Sequence, residues 1–261
     1  MLQKAGGCII VNDQTVFDGS SVLGLARFYH NELRKGAVEL DDSEAHHLIH
    51  VLRLQAGDRI ELFDGMGGLA EATVADVGRK TAAVEVLSIE HTSPRQTGRV
   101  IIATSSAKGQ RFDWLMAKCT ELGVDELAVV LFERTIKQPH GPAAMQRYQK
   151  LTVSAAKQCG RLFLPRLSGP AGLAETVKDL TARYRQGQIV FGGFGEGAAG
   201  IRQYCRADAD TIAFVGPEGG MTDAEEQLLT EQGAIPVRIN ANILRVETAA
   251  IAFAAILCAD R

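Results

Sequence analysis

Apolar and polar positions alternate in short runs through the first third of the chain and recur at three- and four-residue spacing in the rest. Between Arg27 and Glu90 the runs are strand-like. Arg59-Ile60-Glu61-Leu62-Phe63 alternates, Asp64-Gly65-Met66-Gly67-Gly68 has turn chemistry, and Leu69 to Val77 and Thr81 to Ile89 continue the pattern. A small β-barrel or meander is predicted, interrupted by one short helix with Asp42 or Ser43 as N-cap and Glu44 to Leu52 as its body. Residues 1–25 are weakly patterned and form an unassigned N-terminal extension.

The polar stretch from His91 to Gly98, punctuated by Pro94 and Gly98, marks a change of period. Beyond it, strand candidates at Val100–Thr104, Leu127–Leu131, Gln188–Phe191, Thr211–Val215 and Pro236–Ile239 alternate with helical patterns around 111–122, 143–161, 222–232 and 246–259. That alternation predicts an α/β domain with a mostly parallel sheet. The division is therefore 26–95 for a β-rich domain and 96–261 for an α/β domain.

Composition adjusts this picture in a few places. With 46% hydrophobic and 23% charged residues, packed domains are expected, not disorder. The longest small and apolar stretch, Thr248 to Ala259, is well short of the ~20 residues of a membrane span. The N-terminus lacks the features of a secretory signal, so cytoplasm is the default location. Cys8, Cys119, Cys159, Cys205 and Cys258 include no C-x-x-C pair and read as mostly buried, reduced thiols. The net charge of −3 is uneven, with 9 Lys+Arg against 14 Asp+Glu in residues 1–95 and 19 against 17 in the remainder. Any nucleic-acid binding must therefore come from a local patch.

Two helical wheels offer such patches. On the first helix of the α/β domain, Arg111, Trp114, Lys118 and Glu121 share an arc of about 80° beside an apolar face, which suits RNA contact or a subunit interface and equally an ordinary solvated face. On the next helix, Arg147, Lys150, Ser154, Lys157, Gln158 and Arg161 form a stripe that no carboxylate of that helix interrupts. It reads as a phosphate-binding stripe, with a solvated face as the alternative.

Two glycine-rich segments compete as ligand loops. Phe191 to Gly200 contains a literal G-x-G-x-x-G at Gly195, Gly197 and Gly200, but too little chain follows for a doubly wound dinucleotide domain. Gly216-Pro217-Glu218-Gly219-Gly220 follows an apolar strand and precedes a helix with a capping box at Thr222 and Glu225. Glycines at the carboxyl end of a strand let backbone approach a ligand closely. His46 and His50 are four apart, but without a third ligand no metal is expected.

Three segments resemble the RsmE family: Lys108 to Trp114 running into Lys118 to Val124, Gly216 to Gly220, and Ile243-Leu244-Arg245-Val246-Glu247-Thr248-Ala249. Arg27-Phe28, His47-Leu48, Val51 to Arg53, Gly57-Asp58 and Phe63 to Gly65 resemble the family's PUA-like barrel, and Gln158, Arg161 and Pro165 match a further segment. The resemblance runs from about Ala26 to the end. It implies a PUA-like RNA-binding domain followed by a SPOUT-class, trefoil-knotted methyltransferase domain that methylates N3 of a uridine in 16S ribosomal RNA of the small subunit. It also implies a homodimer, with the alanine-rich helix after Glu247 as an interface element.

By the same resemblance, S-adenosylmethionine is held in a bent form by Phe191, Gly192 and Gly193, by Gly216, Pro217, Glu218, Gly219 and Gly220, and by Ile239, Asn240, Asn242, Ile243, Leu244 and Arg245. Arg245 or Arg161 steadies charge on the uracil, Glu218 or Glu247 orients groups in the pocket, and Arg27, Arg53, Lys108, Arg111, Lys118, Arg147, Lys150, Lys157 and Arg161 hold RNA. The chain departs from the family pattern at Ile239-Asn240 in place of Leu-Gly, at Asn242 in place of arginine, and at Ala117 and Lys157. Asn tolerates positive φ, which would preserve the loop. The alternatives are a non-catalytic RNA-binding assembly factor and a knotted methyltransferase acting on tRNA.

Overall fold

The computed structural model describes residues 25–135, 141–193 and 197–259. Residues 1–24 with Cys8, and Phe194-Gly195-Glu196 of the first glycine segment, lie outside the described residues.

The first sheet has five strands in the order β1-β3-β4-β5-β2. They are β1 (Ala26–Tyr29), β2 (Gly36–Glu39), β3 (Arg59–Phe63), β4 (Gly68–Val77) and β5 (Ala82–His91). β1 runs parallel to β3, and the remaining pairs are antiparallel. The alternation resolves as inside and outside. Ala70, Ala72, Val74, Val84 and Val86 pack with Phe28, Leu48, Ile60 and Leu62 into one buried cluster, while Glu71, Asp76 and Glu85 point away. Each buried Val, Leu, Ile or Phe side chain contributes roughly 1.5–3 kcal/mol.

The helix between β2 and β3 ends at Leu52 as expected but departs from expectation in its N-cap and in the geometry of its second half. Its N-cap is Asp41, whose carboxylate accepts hydrogen bonds from the Ser43 and Glu44 amides at 2.9 and 2.8 Å. Leu40 is still paired to the sheet through its bond to the Ala82 carbonyl, so Asp41 is the first residue free to turn. The α-helical part, α1 (Asp42–His46), passes into a π-helical stretch, His47–Leu52, that ends on Arg53 in the left-handed region at φ 55°.

The second sheet is entirely parallel, in the order β10-β12-β9-β11-β6-β7-β8. Its strands are β6 (Val100–Ser105), β7 (Glu126–Leu131), β8 (Arg166–Gly172), β9 (Gln188–Gly192), β10 (Ala199–Gly200), β11 (Thr211–Val215) and β12 (Ile235–Arg238). The helices are α2 (Gln110–Glu121), α3 (Pro142–Cys159), α4 (Leu173–Arg183), α5 (Asp223–Glu231) and α6 (Val246–Leu257). Successive strand residues feed opposite cores. Val100 and Ile102 pack with α2 and α6, whereas Ile101 and Ala103 pack with α4 and the Leu229 side of α5. Both faces are thus covered, as a parallel sheet requires.

β8 and α4 fall in a stretch where the pattern predicted no element. Gly169-Pro170 reads as a turn, yet β8 is the edge strand, where a proline costs no ladder bond. A Cβ on Gly169 would lie 2.3 Å from the Val129 carbonyl oxygen, so glycine permits the irregular pairing with β7 there. Buried Glu126 then ties this edge together, accepting from Ser168 Oγ at 2.6 Å, from the Tyr184 hydroxyl at 2.7 Å and from the Arg183 guanidinium.

β12 lies between β9 and β10, although it follows both in sequence. β9 and β10 are therefore not neighbours, and after β12 the chain continues into α6 on the face shared with α2 and β6. A late strand inserted between two earlier ones is the strand order that a knotted α/β chain requires.

The two sheets meet at the end of α3. Gly65, Gly67 and Met66 pair with the 162–164 segment, and a Cβ on Gly67, which has φ 102°, would lie 2.6 Å from the Phe163 ring. The glycine-rich turn predicted between β3 and β4 is therefore also the docking surface for the second sheet.

Candidate active site

A cavity of about 580 Å3 opens at the carboxyl ends of β9, β11 and β12, where parallel α/β sheets bind ligands. The size falls within the ~300–1,000 Å3 range of small-molecule sites. Its wall takes in Phe191, Gly192, Gly193, Gly216, Pro217, Glu218, Gly219, Gly220, Ile239, Asn240, Asn242, Ile243 and Leu244, all expected there. Arg245 is not part of the wall. It is exposed at the N-cap of α6, where its carbonyl accepts from the Ala249 amide at 2.8 Å. Val215, Met221, Val237 and Phe253 add to the apolar lining and were not singled out from the sequence, whereas Val246 and Ala249 belong to the quoted Ile243–Ala249 segment. The repeat of Val246, Ala249 and Phe253 on one face of α6 was the available signal.

The loops close because glycine lets them. A Cβ on Gly216 would lie 2.9 Å from Met221 Cγ, and one on Gly193 would lie 3.1 Å from Pro236 Cβ. The wall therefore presents bare backbone amides and carbonyls beside apolar side chains, a lining suited to a heterocycle with a polar edge. Asn240 and Asn242 preserve the third loop in a different way from that expected. The Asn240 Oδ1 accepts from the Asn242 amide at 2.8 Å, an Asx turn, and neither residue has positive φ.

The Gly216–Gly220 loop is braced from outside. Thr222 and Glu225 form the predicted capping box, with the Thr222 amide donating to Glu225 Oε2 at 2.8 Å. Glu225 Oε1 also accepts from the Glu133 amide at 2.8 Å, and Arg134 Nη1 donates to the Gly219 and Met221 carbonyls at 2.9 and 3.3 Å. No sequence motif marks Glu133-Arg134, since a short polar turn between a strand and a helix has no periodicity to read.

Of the charged candidates, the structure gathers Arg111, Glu218 and Glu247. Arg111 Nη1 is 3.6 Å from Glu218 Oε1 and its Nε is 3.8 Å from Glu247 Oε1. Glu247 is buried, and its Oε2 has no hydrogen-bond partner. Arg161 is elsewhere. It donates to the Thr120 carbonyl at the end of α2 at 2.9 Å, and burial pulls its pKa below the usual guanidinium value against the opposing charge of Asp125.

The basic stripe on α3 is largely consumed inside the molecule. A wheel sees only its own helix, and carboxylates arrive from neighbouring elements. Arg147 pairs with Asp113 of α2, and Lys157 pairs with buried Glu44 of α1 at 2.6 Å. Arg27 binds Glu61 at 2.7 Å and the Gly160 carbonyl at 2.7 Å, while Lys118 binds Glu121 at 2.7 Å. Arg53, Lys108 and Lys150 are exposed and form no ion pair among the described residues. Trp114 is half exposed beside Arg111.

Of the four described cysteines, only Cys119 is buried, which corrects the expectation of mostly buried thiols. Burial raises its pKa well above an ordinary thiol, so it remains protonated. The His46 and His50 rings lie 4.7 Å apart, and among the described residues no group of three or more His, Cys, Asp or Glu could hold a metal.

Comparison with known proteins places this geometry. The RNA methyltransferase domain family matches residues 94–258, and the RNA methyltransferase PUA domain family matches residues 40–87. A ribosomal RNA small subunit methyltransferase E from Synechocystis sp. is 30% identical over 220 residues, covering 84% of this chain and 71% of that relative. A putative methyltransferase from Legionella pneumophila, solved with bound S-adenosylmethionine, is 28% identical with a TM-score of 0.80, covering 90% of this chain and 97% of that one. A ribosomal RNA small subunit methyltransferase E from Neisseria gonorrhoeae, also bound to S-adenosylmethionine, is 29% identical with a TM-score of 0.78, covering 89% and 96%. The fold is the knotted SPOUT methyltransferase fold behind a PUA-like N-terminal domain. With both of its sheets, its threaded β12 and its glycine-walled cavity accounted for in this way, the chain belongs to the ribosomal RNA small subunit methyltransferase E family, the RsmE family.

Proposed function

We propose that the chain is an S-adenosylmethionine-dependent methyltransferase acting on N3 of a uridine in 16S ribosomal RNA. The observation that carries this reading is the cavity of about 580 Å3 formed by three glycine- and asparagine-bearing turns around a threaded strand. Gly192, Gly193, Gly216 and the Asn240 turn fit a bent adenosyl nucleotide, because added Cβ atoms at Gly193 and Gly216 would crowd the walls. Bound there, S-adenosylmethionine supplies an electrophilic methyl group.

The protein's part is positioning and electrostatics. A uracil N3 must lose its proton before it becomes a good nucleophile, and the resulting charge spreads over O2, N3 and O4. Exposed Arg245 at the edge of the cavity supplies positive charge for it, whereas the charge of Arg111 is taken up by Glu218 and Glu247. Arg161 braces the end of α2 instead of reaching the substrate. Of the expected RNA contacts, Arg53, Lys108 and Lys150 are exposed without an ion pair among the described residues, which leaves them available to RNA phosphates.

Residues 26–95 serve as the RNA-binding domain and 96–261 as the catalytic domain. The chain works as a homodimer. α6 carries no charge from Thr248 to its end, yet Ile251, Ala252, Ala255 and Ile256 are not fully covered, and an apolar helix of this kind is normally buried all round. No described helix is long and apolar enough to cross a membrane, and a ribosomal substrate places the enzyme in the cytoplasm.

The test is nucleoside mass spectrometry of small-subunit ribosomal RNA and tRNA after incubation with the chain and S-adenosylmethionine. The expected product is 3-methyluridine in ribosomal RNA alone. Methylated tRNA would support the second enzyme reading, and no methylation of either would support an RNA-binding assembly factor.

A further inference from the structure

Beside the large cavity lies a second one, of about 50 Å3, lined by Ser105, Ser106, Lys108, Arg134, Glu218 and Gly219 among others. The two share Pro217, Glu218, Gly219 and Val246, so the Gly216–Gly220 loop stands between them. A group in the small cavity is out of line with a methyl donor in the large one. Its occupant therefore binds beside the reaction without taking part in it.

The wall holds one orphan donor and two cations. Ser106 is 7% exposed, and its Oγ has no hydrogen-bond partner. Buried hydroxyls are nearly always satisfied, and an orphan in a cavity wall points to a ligand that completes it. Its neighbour Ser105 is already paired, with its Oγ 3.1 Å from Thr135 Oγ1. Lys108 and Arg134 are exposed and form no ion pair among the described residues, although Arg134 donates to the Gly219 and Met221 carbonyls. Glu218 is the carboxylate of this wall, and Arg111 at 3.6 Å offsets it. Lys108 leads into α2, whose N-cap Gly109 offers no side-chain bond to the first amides, so the positive end of a 12-residue helix adds to the same field.

We infer that the small cavity binds one backbone phosphate of the RNA substrate, with the Ser106 hydroxyl and Lys108 Nζ donating to its oxygens and Arg134 adding positive charge. This rests on the reading of the chain as an enzyme that acts on ribosomal RNA. A cavity of this volume has room for roughly three to five waters, which matches the oxygens of one phosphate and is too small for a nucleobase. Ammonium and guanidinium groups only donate, and the Ser106 hydroxyl has a proton to give, so the wall suits a ligand made of acceptors alone. The ribose separates a phosphate from its base. A strand crossing the Gly216–Gly220 loop therefore sets a phosphate on one side while a base approaches the large cavity on the other. Such a contact carries no base information and fixes the register of the strand. A free phosphate presents the same oxygens, and the experiment separates the two sources.

The test measures binding of small-subunit ribosomal RNA to the full-length chain and to its Ser106→Ala and Lys108→Gln variants over a range of salt concentrations. Each variant should bind RNA about tenfold more weakly near 0.1 M salt, while the Kd for S-adenosylmethionine stays within twofold. Lys108→Gln should also flatten the slope of log K against log salt by about 0.7–0.9, the counterion release of one phosphate, and Ser106→Ala should leave that slope unchanged. The free Ser106→Ala chain should keep its Tm, because the lost hydroxyl had no partner, whereas a structural hydroxyl would lower it. Wild-type RNA affinity and salt slope in both variants would overturn the phosphate assignment and leave the methyltransferase reading intact. Inorganic phosphate that binds the wild type more tightly than Lys108→Gln, at ionic strength matched with chloride and with RNA affinity equal in the two, would make this a free-anion site and overturn the RNA assignment. RNA binding that depends on Ser106 and Lys108 as expected, in a chain that methylates no RNA, would uphold the phosphate site and remove the methyltransferase reading.

Discussion

Arg134 Nη1 lies 2.9 Å from the carbonyl oxygen of Gly219, so the turn after β7 is pinned to the turn after β11 that walls the large cavity. Arg134→Ala removes this bond and the longer one to Met221. Loss of one net charge-assisted hydrogen bond is about 1.5 kcal/mol, close to a tenfold change in an equilibrium constant. Affinity for S-adenosylmethionine should weaken by about tenfold in calorimetry, with little change in Tm, and Arg134→Lys should recover part of it.

Lys157 and Glu44 join the two domains through a pair in which both side chains are largely covered, with Lys157 Nζ also 5.2 Å from the Phe28 ring centre. Removing one partner of a buried pair leaves the other charge uncompensated, typically at about 3–5 kcal/mol. Lys157→Ala should lower the denaturation midpoint accordingly. The double variant Lys157→Met with Glu44→Leu should recover most of the loss, because it removes the desolvated charge as well as its partner.

His47 faces the same junction. Burial depresses its pKa below the ordinary 6.5, the charges of Lys157 and His46 add to this, and Glu44 opposes it. The unfolded chain therefore binds this proton more readily than the folded one, so stability should fall as pH drops below about 6.5 and level off once the pH is below the folded value. Denaturant midpoints between pH 7.5 and 5 should decline in the wild type and decline less in His47→Asn.

Strands β6, β9 and β11 and their helices were legible because runs such as Val100 to Thr104 and Ile212 to Val215 are apolar on both faces and end at polar or glycine-rich turns. The wall of the large cavity was legible for the same reason, since Gly192-Gly193 and Gly216 to Gly220 stand where strands end. β8 was hidden by Gly169-Pro170, which only an edge position tolerates. The fate of the α3 stripe depends on Asp113 and Glu44, which are distant in sequence. Arg245 carried the motif into the expected loop, but its side chain belongs to the exposed cap of α6.

The most direct measurement is isothermal titration of S-adenosylmethionine into the purified full-length chain. Saturable binding at one site per chain, displaced by S-adenosylhomocysteine, is the expected result. Absence of saturable heat, or binding that persists unchanged when Gly193→Val fills the cavity wall, would contradict the assignment of this cavity to the methyl donor.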